Sequence, residues 1–132
     1  MSKYHKIFIP HRFPCRNQQE AAARSNRFAA ASMKKKYTEI ARVYFAKYGV
    51  QNIGLSEFTF TWIEPNRKKD PDNISGGVKF IFDGMQKAGF LKNDGWKNVA
   101  KISHKFLTSS RIGVFVDVVD LWDNENAVII EL

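Results

Sequence analysis

The sequence has a single cysteine, Cys15, among its 132 residues, so no internal disulfide can form. Zinc-type ligation is also excluded, because His5, His11 and His104 are scattered and have no Cys partners at metal-ligand spacing. No run approaches the roughly 18 apolar residues that a membrane span requires. The start, Met1-Ser-Lys-Tyr-His, carries no signal-peptide apolar core, so a soluble, cytoplasmic protein is expected. No glycine-rich Walker sequence and no Ser or Cys nucleophile motif is present, which argues against a nucleotide cofactor or another small-molecule cofactor. Repeats, low-complexity tracts and interdomain linkers are missing too. Acidic residues are scarce in the first 50 positions, where Glu20 and Glu39 face eleven Lys and Arg.

What remains is an apolar, basic chain. Hydrophobic residues make up 44%, enough for one packed domain, and the formal net charge of +8 favours an anionic partner. A short strand at Lys6–Pro10 should stop at its proline. Residues 18–48 then read as one long helix ending at Gly49, with Met33, Tyr37, Ile40, Tyr44 and Tyr48 on one stripe and Arg24, Lys35 and Arg42 opposite. That basic face suits a phosphate backbone and equally suits solvent. In residues 55–64, Phe58, Phe60 and Trp62 alternate with Glu57, Thr59 and Thr61, which predicts a strand with its aromatics in the core. A basic turn, Arg67-Lys68-Lys69, leads to a second helix running from Ser75 or Val78 to Ala88. Strands follow near 97–106, 111–121 and 127–131. The order predicts a single α+β domain with one mixed β-sheet packed by two main helices.

The chemistry-bearing segment is Lys69-Asp-Pro-Asp-Asn73. In an extended chain Asp70 and Asp72 project together, and Pro71 favours that extension. Paired carboxylates repel unless a cation sits between them, and Mg²⁺ prefers such oxygen ligands. The same residues also make an ordinary turn and helix cap. Gly76-Gly77 either delay the helix to Val78 or let the backbone approach DNA closely. Asp117 and Asp120 fall in an apolar strand and are expected to face outward.

Asp70-Pro-Asp-Asn73, then Val78-Lys-Phe-Ile-Phe-Asp-Gly84, then Gly89-Phe-Leu-Lys-Asn-Asp94 resembles the signature of the RusA family of Holliday junction resolvases, over about residues 55–110. The resemblance implies metal-binding, catalytic carboxylates at Asp70, Asp72 and Asp94, and a functional lysine at Lys79, four residues before Asp83. Asp83 would either orient the site or simply pair with Lys79, and Asn93 and Asn73 would support the carboxylates. Read from charge pattern alone, Arg67, Lys68 and Lys69 of the basic turn and Arg24, Lys35 and Arg42 of the helix face are the candidate DNA contacts. The resemblance further implies Mg²⁺ (with Mn²⁺ as a substitute), branched four-way-junction DNA as substrate, and a homodimer with two symmetric sites. The apolar Ala127-Val-Ile-Ile130 is one candidate dimer surface. Asn93 stands where the family has an acid, which leaves two rivals open: a branched-DNA-binding protein without catalysis, and an Mg²⁺ nuclease for flaps or single strands.

Overall fold

The computed structural model describes residues 3–121. The elements are β1 (Lys3–Ile9), α1 (Arg16–Ser25), α2 (Arg27–Tyr48), β2 (Ser56–Glu64), a single turn α3 (Pro71–Ile74), a 3-10 turn Ser75–Gly77, α4 (Val78–Lys87), β3 (Val99–Thr108) and β4 (Gly113–Asp120). The strands form one four-stranded sheet in the order β1-β4-β2-β3. β4 runs antiparallel to both β1 and β2, whereas β2 and β3 are parallel and α4 makes the crossover between them. This is the single α+β domain with one mixed sheet that the element order predicts. The strand expected at 127–131 lies outside the described residues.

Period-2 patterning decides which face is covered. Phe58, Phe60 and Trp62 are buried, and Phe82 of α4 meets the first two edge-on, with ring centroids 5.2 and 5.5 Å apart. The reverse face carries Phe8, Phe115, Asp117, Thr59 and Thr61, all half-buried, and no element among the described residues covers it. Asp117 faces that side and accepts from the Tyr4 hydroxyl. Asp120 does not face outward as expected. It is 5% exposed, with the Gly54 amide directed at its carboxylate.

The long helix expected over 18–48 is two helices. Asn26 is extended (φ −172°, ψ 163°), and its side chain accepts from the Ala29 amide at 2.8 Å, capping α2. A short polar side chain here outcompetes the continuing helical hydrogen bond. Gly49 does end α2, at φ 83°. The α2 seam is rotated from the expected stripe: Thr38, Ala41 and Phe45 are buried, while Met33, Tyr37, Ile40 and Tyr44 flank them. The cause lies in α4. A Cβ on Gly84 would sit 2.4 Å from the Ala41 Cβ, so two small residues set the closest approach of the helices.

Candidate nucleic-acid and metal site

The site grows from the C-terminal end of β2. Glu64 shares the parity of Phe58, Phe60 and Trp62, so the strand carries its carboxylate onto the core side, where it is 8% exposed. A buried charge needs a partner. Arg12, from the loop after β1, supplies a fork: Nε donates to both Glu64 oxygens at 3.1 and 3.2 Å, and Nη2 to Oε1 at 2.6 Å. These bonds raise the Arg12 pKa above its ordinary value. Sequence reasoning missed this pair, although a glutamate on an aromatic core stripe is itself the signal.

From Glu64 the chain turns. The Lys68 amide donates to Asn66 Oδ1 at 3.0 Å, and Asp70 (φ −75°, ψ 148°) ends the extended stretch as the cap of α3. Its carbonyl accepts from the Asn73 and Ile74 amides at 3.0 and 3.1 Å, while its carboxylate makes no cap hydrogen bond. Pro71 takes the first helical position, where its missing N–H costs nothing. The extended reading of Asp70-Pro71-Asp72 therefore holds only as far as Asp70. Asp72 sits in the helical first turn, exposed, with one oxygen 3.8 Å from Arg16 Nη1. A cleft of about 510 Å³ opens beside Asp70, lined also by Glu64, Arg67, Lys69 and the residues Phe106, Leu107 and Thr108 at the end of β3. It lies at the carboxyl end of the parallel pair, where crossover folds commonly place ligands.

The other residues expected at the site are distributed around it. Asn73 is architectural, because its Oδ1 accepts from the Asn17 amide at 2.9 Å and ties α3 to α1. Gly76 and Gly77 delay the helix to Val78 and let the chain press on itself. A Cβ would meet Arg16 N at 3.0 Å or Phe13 Cβ at 2.8 Å. Lys79 is exposed and lines a hollow with Gln19, Met33 and Lys34. Asp83 lines a different one, with Lys34, Lys35 and Thr38, and no ion pair joins it to Lys79. Arg24 is 3.9 Å from Glu20, and Arg42 donates to both oxygens of Glu39, so each has an acidic partner on its own helix. Lys35 and Lys68 are exposed.

Asp94 is the outlier. Its loop closes on the opposite end of the sheet: the Ser56 amide donates to the Asn98 carbonyl at 2.9 Å, and Asn98 Nδ2 to the Ile53 carbonyl at 3.2 Å. Asn93 accepts from the Gly95 amide at 2.6 Å. Nine residues of β2 separate this loop from the Asp70 cleft, a strand length of about 25 Å. Among the described residues no three His, Cys, Asp or Glu side chains cluster so as to hold a metal ion. Mg²⁺ commonly takes one or two carboxylates and fills its remaining positions with water and phosphate oxygens, so Asp70 and its neighbour Asp72 have the donor chemistry it needs. A three-carboxylate set with Asp94 does not assemble within one chain. Comparison with protein-family models and with curated proteins gives no match. No helix among the described residues is long and apolar enough to cross a membrane.

Proposed function

We propose that the chain is an Mg²⁺-dependent, structure-selective endodeoxyribonuclease of the RusA type that nicks four-way DNA junctions in recombination and repair. One observation carries the reading. Asp70, its carboxylate uncommitted to the helix cap, opens onto a cleft bordered by Arg67 and Lys69 at the carboxyl end of the parallel strands. An anionic ligand for a hard cation, set among cations that attract phosphate, suits phosphodiester hydrolysis. When bound, Mg²⁺ polarises the phosphate and lowers the pKa of a coordinated water. Asp70 and Asp72 would hold the ion. Arg67 and Lys69 would hold the phosphate backbone across the cleft, and Arg12 keeps Glu64 from repelling it. The net charge of +8 supports binding to DNA of any shape.

A second reading, junction binding without cleavage, is favoured by Asn93, which is occupied in a local turn, and by Lys79, which lies outside the Asp70 cleft. Cleavage of a labelled four-way junction, in Mg²⁺ and in chelator, separates the two. Nuclease function predicts paired nicks that chelation abolishes and that Asp70→Asn reduces by at least about 100-fold, with junction affinity retained. Tight binding without nicks in Mg²⁺ or Mn²⁺ would establish the binding-only reading. Competition with flap and single-stranded DNA tests the selectivity.

A further inference from the structure

Trp96 is 96% exposed, more than any other large apolar side chain among the described residues. The loop that carries it is nevertheless closed by hydrogen bonds on both sides. Asn93 Oδ1 accepts from the Gly95 amide at 2.6 Å, and the Gly95 carbonyl accepts from the Asn98 and Val99 amides at 3.1 and 3.0 Å. Asn98 Nδ2 donates to the Ile53 carbonyl at 3.2 Å, which ties the loop to the segment before β2. A Cβ on Gly95 would lie 2.8 Å from Asn93 Oδ1, so the turn closes this tightly because position 95 is glycine. The indole thus stands in water on a fixed platform. A ring left in solvent adds no burial energy to the fold, but it is ready to add it to a complex.

The surroundings select the partner. Beside the indole lies a hollow of about 360 Å³ lined by Lys92, Asn93, Trp96, Lys97 and Asn98. Two of these five residues are cations, none is an acid, and Trp96 is the only apolar one. An apolar peptide would need more hydrophobic lining than one ring, and a purely acidic partner would have no use for the ring. A nucleotide matches both parts, with a flat base and an anionic phosphate. In continuous duplex the faces of the bases are covered by their neighbours, so only an unpaired or unstacked base can lie on the indole.

We propose that the Trp96 loop binds an unpaired nucleotide of DNA, its base stacked on the indole and its flanking phosphates held by Lys92 and Lys97. Stacking of this kind is tolerant of sequence, because every base has a π-face. The loop would therefore recognise an interruption in pairing, as at a branch point, rather than a base sequence. The inference rests on the proposed DNA binding and not on cleavage.

Binding is measured with the full chain in chelator, so that no strand is cut, on a fully paired duplex and on the same duplex carrying a thymine bulge. Wild type should prefer the bulge. Trp96→Ala should weaken binding to the bulged DNA about tenfold and to the paired duplex by less than about twofold, while Trp96→Phe, which keeps a ring, should retain most of the preference. Lys92→Ala with Lys97→Ala should lower the salt slope on oligothymidylate by about 1.4, about 0.7 for each phosphate contact on a single strand. Oligothymidylate should also quench the tryptophan emission of wild type, and that quenching should be missing in Trp96→Phe. A wild type without bulge preference, equal losses on the two DNAs, or quenching that persists in Trp96→Phe overturns the inference. A changed sedimentation coefficient in Trp96→Ala overturns it too, because the indole would then be covering another protein chain. If wild type nicks junctions yet Trp96→Ala binds the bulge normally, this inference fails alone. If wild type binds the bulge through Trp96 but never nicks, the nuclease reading fails alone.

Discussion

The two ends of the parallel pair β2–β3 are built by opposite means. At the amino end, main chain meets main chain: Asn52 N to Gly89 O at 2.8 Å, Ile53 N to Phe90 O at 3.0 Å, and Leu121 N to Leu55 O at 2.7 Å, over a fully buried Phe90 and Leu91. At the carboxyl end few backbone bonds close the structure, and charged side chains line an open cleft. Backbone closure is insensitive to side-chain identity and holds one geometry. Side-chain closure leaves donors and acceptors free for a ligand. The sealed end therefore provides stability, and the open end is where chemistry has room.

Substitutions test that contrast, beginning with the largest expected effect. Phe90→Ala empties a site packed against Phe45, His5 and Tyr48, and should cost about 3–5 kcal/mol in chemical denaturation. A cost under 1 kcal/mol would mean that the amino end is not the sealed one. At the open end, Arg12→Ala strands the Glu64 carboxylate and should cost about 1–3 kcal/mol, much of it recovered by adding Glu64→Gln. Equal losses in the single and double variants would show that the ion pair is not what matters there.

Protonation gives a smaller, graded effect. Burial lowers the pKa of His5 and of His104 below the usual imidazole value, so the unfolded chain binds protons that the folded one resists. Stability from these groups is fully present above about pH 6.5 and is lost as pH falls through that value towards their lower folded pKa. The melting midpoint should drop between pH 7 and pH 5, with a shallower slope in His5→Gln. An unchanged slope in that variant would assign the effect to His104 or to carboxylates. The smallest change is expected for Lys69→Ala at the cleft, which should lower the salt dependence of DNA binding by about one phosphate contact. An unchanged slope would place the DNA elsewhere.

Local rules made the framework legible. The alternation through Phe58, Phe60 and Trp62 gave β2 and its buried face, Pro10 and Gly49 marked real stops, and the element order implied the mixed sheet. Three things escaped because their causes are remote in sequence. The α2 seam follows Gly84, some 40 residues away. Arg12 finds Glu64 only after β1 and β2 are placed on either side of β4. Asp94 parts from Asp70 because a crossover returns the chain to the start of the neighbouring strand, a fact of topology that motif spacing does not contain. Asn26 differs, since its cap is local, but the apolar periodicity running past it hid the break.

The glycine pair at 76 and 77 carries a last consequence. It presses the Asp72 turn onto Phe13 and Arg16, and two further bonds, Asn17 N to Asn73 Oδ1 and Gln19 Nε2 to Gly76 O at 2.9 Å each, fasten the same junction. The Asp70 segment is thus not a hinged flap but part of one block with the start of α1. A ligand that displaces it must drag the first helix along, so probes on Gln18 and on Lys68 should report a single shared motion.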